Sequence, residues 1–328
     1  MKKVFFFAAV AALLLGCKGN ENKPVEPVEE PEQEEVEANG YFFNTMAFNG
    51  TFVETSNAVL YAAQESALPL VHRISSNRTS SYPLISWTPE DGTWPILLNV
   101  DYGETQVYGK DGLKHKGVMI IDASGRFEAP QTTLDVSFQD FYVYGSVLHG
   151  EQHIVNNGAN EAGNLLFNVT VENAWLGENK TWEYSENTVR ELISGLLDNG
   201  SLDPELTTHT YSITGTMKGK SLVDTIPRYE VTISEQQPMI IAVGDLYPVQ
   251  GQVVINLDKP YIFEYKGAQA YIKEGINLSF DGRDNAGNYL MHVNAPLSAV
   301  GAELYFPITI SFALNEDGII EDSIRIEQ

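Results

Sequence analysis

The chain contains a single cysteine, Cys17, in 328 residues. No intramolecular disulfide, cysteine-rich zinc site or thiol nucleophile can therefore lie beyond position 17, and the folded part must be held by its core alone. Positive charge is also scarce. Lys and Arg number 20 against 44 Asp and Glu, giving a formal net charge of −24. Such a surface repels phosphate backbones and excludes nucleic acid as a partner; it also favours solubility. Beyond the first 15 residues there is no apolar run near the roughly 20 residues that a membrane-spanning helix needs. Catalytic signatures are missing too: no Gly-x-Ser-x-Gly, no His-Glu-x-x-His and no phosphate-binding loop. Carboxylates are so numerous that no glycosidase pair can be singled out, so no catalytic residue is assigned.

What is present begins at the N-terminus. Met1-Lys2-Lys3 is basic, and residues 4–15 are unbroken apolar sequence, too short to span a bilayer but suited to a signal-peptide core. The run ends on Leu14-Leu15-Gly16-Cys17 rather than on an Ala-x-Ala site. These four residues resemble the lipobox of bacterial lipoproteins, although Leu15 is larger than the residue usual there. The resemblance implies a signal peptide over residues 1–16, a diacylglyceryl group on the Cys17 thiol, and cleavage that leaves Cys17 as the acylated N-terminus. Several acyl chains anchor firmly, at about 0.8 kcal/mol per buried methylene. The membrane is then a partner through the lipid, and no other cofactor is required.

Residues 17–39 form a tether. Residues 18–38 have no aromatic side chain, while Glu21, Glu26, Glu29, Glu30, Glu32, Glu34, Glu35 and Glu37 repel one another and Pro24, Pro27 and Pro31 favour extended backbone. This composition predicts an extended, disordered segment. Acidic residues behind a lipidated cysteine resemble a surface-export signal of some Bacteroidota lipoproteins, which implies an outer-membrane address with display at the cell surface; the periplasmic face is the alternative.

Roughly 290 residues follow, enough for one large domain or two ordinary ones. Residues 40–84 read as a helical arm and linker. Phe52, Ala58, Val59, Ala62 and Ala63 make one apolar stripe behind Thr51 or Thr55 as cap, predicting a helix near residues 51–66; residues 73–83 are Ser-rich and polar and read as a loop. From Trp87 onward the period changes to two. Leu134, Val136 and Phe138 alternate with polar neighbours, as do Ile308, Ile310 and Phe312. Asp91-Gly92, Asp111-Gly112, Asn157-Gly158, Asp281-Gly282 and Asp317-Gly318 punctuate these runs with pairs that accept hairpin geometry. The expected class is mainly β: two antiparallel, meander- or sandwich-like units (residues 85–205 and 206–328) behind a short N-terminal helix. Val189, Leu192, Ile193 and Leu196 stand at helical spacing and predict one further helix over residues 185–200.

The division into two units rests on an internal likeness, for which a chance similarity of two β-meanders is the competing reading. Residues 157–166 (NGANEAGNLL) match residues 281–290 (DGRDNAGNYL), and each is preceded by a glycine-centred strand, at Lys116-Gly117-Val118 and Gln250-Gly251-Gln252.

Asn99-Val100-Asp101-Tyr102-Gly103, followed by residues 111–120 (DGLKHKGVMI), resembles the "DFG…DGRxRxGKI" opening of a group of uncharacterised Bacteroidota lipoproteins. Residues 141–145 (FYVYG) and 210–216 (TYSITGT) resemble later landmarks of that group, so the likeness covers residues 85–290. It implies an address and a β-rich architecture but no activity. Many relatives carry cysteine after the "DFG"; this chain has Glu104, so no disulfide or metal role transfers.

Four constellations remain. His149, Glu151 and His153 would share one face of a strand, where alternate histidines and a carboxylate can bind a metal; a solvated strand face is the competing reading. Asp281, Asp284, Asn285 and Asn288 offer oxygens to calcium, though not at EF-hand spacing, and a hairpin turn explains them equally. Trp87, Trp94, Trp175 and Trp182 could stack sugars or fill a core. Asp224-Thr225-Ile226 and Asp322-Ser323-Ile324 fit the short pattern of Bacteroides-type O-glycosylation at Thr225 and Ser323. The expected function is thus a membrane-anchored, exported lipoprotein with a non-catalytic structural or binding role and a glycan or protein ligand. A carbohydrate-binding module is the alternative and a hydrolase ranks third.

Overall fold

The computed structural model describes residues 41–66, 83–222, 227–245, 247–265, 268–272, 275–283, 285, 288–299, 302–312 and 325–327. Among the described residues one α-helix, α1 (Tyr41–Ser66), precedes eighteen strands, with a short 3-10 turn at Leu206–Thr208. These are β1 (Leu84–Thr88), β2 (Ile96–Asp101), β3 (Val107–Tyr108), β4 (Lys114–Ala123), β5 (Thr133–Val143), β6 (Ser146–Ala159), β7 (Leu165–Leu176), β8 (Trp182–Ser194) and β9 (Thr210–Ser221). The second half adds β10 (Tyr229–Ile233), β11 (Met239–Ala242), β12 (Gln250–Leu257), β13 (Tyr261–Tyr265), β14 (Ala268–Ile272), β15 (Ile276–Arg283), β16 (Tyr289–Ala299), β17 (Ala302–Phe312) and β18 (Arg325–Glu327). The protein is mainly β and every strand pairing is antiparallel. One sheet runs β1–β2–β4–β5–β6–β7–β8–β9–β10–β12–β15–β16–β17–β18. β8 and β9 pair over most of their length, so the sheet is continuous across residue 205.

The helix is the centre around which the sheet folds. Residues 50–56 are buried without a gap. A helix turns about 100° per residue, so seven consecutive buried positions bury every face. Its partners come from strands spread across the sheet. Thr55 meets Met119 of β4, Phe48 meets Phe138 of β5, Thr51 meets Gln152 of β6, and Phe52 meets Phe167 of β7. Phe48 stacks on Tyr184 of β8 with centroids 4.7 Å apart, Thr45 meets Met217 of β9, and Asn44 donates to Tyr229 of β10 at 2.8 Å. The inner face of the sheet from β4 to β10 is therefore covered by the helix.

This arrangement corrects two expectations. The helix starts ten residues before the expected Thr51, so Thr51 and Thr55 are interior residues rather than caps. The Thr51 hydroxyl lies 2.9 Å from the Phe48 carbonyl and 3.0 Å from Gln152 Oε1, a mid-helix back-contact. An apolar stripe predicts a wet face along the whole helix; residues 50–56 have none, and the open side lies in the C-terminal half, at Asn57, Leu60, Tyr61 and Gln64. Residues 185–194 are strand, not helix. β8 turns Glu186, Thr188, Arg190 and Leu192 inward, while Val189 and Ile193 are 37% and 41% exposed. Its polar residues face the helix and some of its apolar ones face out, so the usual alternation is inverted and the helical spacing is coincidental. The expected loop at residues 73–83 lies, but for its last residue, outside the described residues.

The two similar segments occupy similar places. Residues 157–166 turn β6 into β7, and residues 281–290 include the turn from β15 to β16. In the glycine-centred strands before them, Gly117 and Gly251 both have positive φ, +85° and +109°. A Cβ on Gly117 would fall 1.8 Å from the Asp140 carbonyl oxygen, and on Gly251 2.0 Å from that of Pro238. Both positions thus require glycine for the same reason, a neighbouring backbone passing too close.

Candidate functional site

The densest group of buried titratable side chains lies where α1 passes the β3–β4 hairpin. Glu54 comes from the middle of α1 and, with Glu65, is one of only two charged residues in it. Tyr102 follows β2, Asp111 is in the β3–β4 turn, and His115 is the second residue of β4. All four are buried. Asp111-Gly112 is the expected turn pair, with Gly112 at φ +81°, but Asp111 points its carboxylate inward rather than into water.

Each carboxylate oxygen faces a donor. Glu54 Oε1 accepts the Asp111 amide N–H at 2.9 Å, and Glu54 Oε2 accepts the Tyr102 hydroxyl at 2.5 Å. His115 Nε2 lies 2.9 Å from both Asp111 oxygens, and Asp111 Oδ1 also accepts the Leu113 N–H at 3.0 Å. His115 Nδ1 makes no hydrogen bond of good geometry, although the Tyr142 backbone is near enough to favour a proton on the ring. The imidazole stacks on Phe141 with centroids 5.2 Å apart.

Two glycines leave room for this cluster. A Cβ on Gly50 would lie 2.2 Å from Asp111 Oδ2. One on Gly109 would lie within 2.8 Å of atoms of Asp111, Glu54 and His115 at once.

Burial, followed by the nearby Asp111 charge, pushes the Glu54 carboxyl up to about 7, against the opposing pull of His115 and of the Tyr102 and Asp111 hydrogen bonds. For His115, burial disfavours the proton, but the adjacent Asp111 carboxylate outweighs it and Glu54 adds to the rise, so the imidazole binds its proton more tightly than usual. Tyr102 is pushed well above the ordinary phenol range by burial and by Glu54. Glu54, Asp111 and His115 each place a ligating atom within 4.8 Å of the others, which makes them a potential metal-holding set.

A second buried polar group lies further along the helix. Arg190 donates to Glu186 Oε1 at 3.0 Å and to Asn49 Oδ1 at 2.8 Å, and its guanidinium sits 4.4 Å over the Phe52 ring. The Thr188 hydroxyl donates to the same Glu186 oxygen at 2.5 Å, and the Tyr184 hydroxyl lies 3.2 Å from the other.

The residues singled out from sequence are dispersed. On β6, Glu151 and His153 are exposed and His149 is partly buried; His153 Nδ1 pairs with Asp135 at 2.5 Å. Among the described residues these three do not bring their ligating atoms together, whereas Gln152 between them points inward and donates to the Phe48 carbonyl at 3.0 Å. Asp281 pairs with His292 at 3.7 Å, and Asp284 lies outside the described residues. In the matching segment, Asn160 Oδ1 accepts the N–H groups of Ala162 and Asn164, both at 3.0 Å, which is hairpin-turn chemistry. The tryptophans form no common exposed face: Trp182 is core, and Trp87 and Trp94 pack against it partly buried. Cys17, Thr225 and Ser323 lie outside the described residues.

Tyr102, Asp111 and His115 fall within the two motif segments at residues 99–103 and 111–120, so those segments carried a signal for the cluster. Glu54 was legible only as a lone carboxylate in the middle of a helix whose one other charge, Glu65, lies in its last turn. No protein family, curated protein or solved structure matches the chain.

Proposed function

We propose that this chain is an exported lipoprotein, anchored through Cys17 at the outer membrane and displayed at the cell surface, with a non-catalytic structural or binding role. The observation that carries this reading is the position of α1. It starts at Tyr41, directly behind the acidic tether, and is the element the sheet wraps. A load on the anchor would thus pass into the most buried part of the fold. With the inner face from β4 to β10 covered by the helix, recognition would fall to the outer surface. The Bacteroidota-like motifs at residues 99–103 and 111–120 support the same address.

Metabolic labelling with a palmitate analogue tests the anchor. Label should enter the wild-type chain and be absent from Cys17→Ala; label retained in that variant overturns it. Protease shaving of intact cells should remove the protein if it is surface-displayed.

A carbohydrate-binding role is the second reading. It is favoured by a cleft of about 360 Å³ on the β8–β9–β10–β12 face, edged by Lys218, Lys220 and Arg228 and by Glu183, Glu230 and Asp258. Such alternating donors and acceptors suit hydroxyl groups. Residues 40–328 applied to a glycan array should show a binder that Lys220→Ala weakens; no binding to any glycan removes this reading.

A further inference from the structure

We propose that Glu54, Asp111 and His115 form a buried divalent-cation site, of a kind suited to zinc, that ties α1 to the β3–β4 hairpin. The argument starts from the donors. The Asp111 N–H and Tyr102 O–H both point at Glu54, and the Leu113 N–H points at Asp111. Glu54, Asp111 and His115 bring carboxylate oxygens and one imidazole nitrogen within 4.8 Å of one another in one enclosed space.

A divalent cation at that point would neutralise both carboxylates where water is excluded. One imidazole nitrogen with two carboxylates is a zinc-type donor set, whereas calcium and magnesium favour all-oxygen shells. Zinc ligands at about 2.0–2.2 Å in tetrahedral geometry sit roughly 3.3 Å apart. The 2.9 Å between His115 Nε2 and the Asp111 oxygens would need to open by only a few tenths of an ångström. The partners that orient metal ligands are already in place: Tyr102 and the Asp111 amide on Glu54, and the Leu113 amide on Asp111. Because the ligands meet only when the helix docks, the ion would be taken up during folding. The site is independent of the lipid anchor.

The test uses detergent-solubilised full-length protein, unfolded in denaturant with chelator and refolded with one equivalent of Zn²⁺ or with chelator alone. After removal of loose metal, mass spectrometry should find about one zinc per chain, and the zinc-refolded sample should unfold at higher denaturant. His115→Ala and Asp111→Asn should lose the metal, while His149→Ala/His153→Ala should keep it. If the natively refolded wild-type chain holds no zinc and is no more stable with it, the proposal fails. It fails equally if removing the surface histidines abolishes retention. Should the buried-site variants not fold, the zinc content of the wild-type chain still decides.

Discussion

The hydroxyl of Tyr102 reaches 2.5 Å from Oε2 of Glu54, joining the end of β2 to the middle of the enclosed helix. Tyr102→Phe keeps the ring packing on Phe141 and His115 but leaves that buried carboxylate oxygen without its donor. The expected cost is about 1–3 kcal/mol, since an unsatisfied buried acceptor is more expensive than a lost hydrogen bond. Urea unfolding of the variant should show a lower midpoint at unchanged slope.

Gly50 offers a test in which helix propensity and packing oppose each other. Alanine is favoured over glycine by about 1 kcal/mol in a helix interior. At this position its Cβ would lie 2.2 Å from Asp111 Oδ2. Overpacking of this kind typically costs about 1–3 kcal/mol, so Gly50→Ala should be net destabilising by thermal unfolding. An unchanged or raised midpoint would mean that the Asp111 carboxylate can move aside.

Arg190 and Glu186 are each 1% exposed, so neither charge can fall back on water. Glu186→Gln or Arg190→Met alone should cost about 3–5 kcal/mol, while replacing both with apolar residues of similar volume should recover much of that loss. Chemical unfolding of the two single variants and the double variant gives the coupling directly.

His209 supplies the pH dependence. Burial holds its proton affinity below the ordinary value of 6.5, against the weaker opposing pull of the Asp203 carbonyl and carboxylate. The unfolded chain therefore binds this proton more readily than the folded one. The stability that depends on a neutral His209 is complete above pH 6.5 and is lost as pH falls through 6.5 toward the lower folded-state value. His209→Gln should flatten the fall in unfolding free energy below pH 6.5 relative to wild type. An identical slope in both proteins would remove His209 as its source.

The turn pairs and alternating strands were legible because both are local: a hairpin's φ requirement and a strand's period of two are written in adjacent residues. Asp111-Gly112 was recognisable as a turn in this way. That its carboxylate faces inward was not, because the reason is Gly50, sixty-one positions earlier, whose missing side chain makes the space. His149, Glu151 and His153 attracted attention by type and spacing, yet Gln152 between them carries the contact with the helix. β8 carries apolar residues at helical spacing because Glu186, Thr188 and Arg190 bond one another on its inner face, which leaves Val189 and Ile193 outside.

Taken by itself, the sequence determined the apolar run of residues 4–15 and its Cys17 ending, the acidic composition of residues 18–38, the antiparallel β class and the positions of many turns, all consequences of composition and short-range periodicity. Only the tertiary structure decided that residues 50–56 of the N-terminal helix would be enclosed on every face and that Glu54 would meet Tyr102, Asp111 and His115. An amphipathic pattern records a boundary between core and water, and that stretch of the helix has no such boundary. Its surroundings are set by strands from β4 to β10, and a buried carboxylate acquires its chemistry from neighbours that only folding brings within reach.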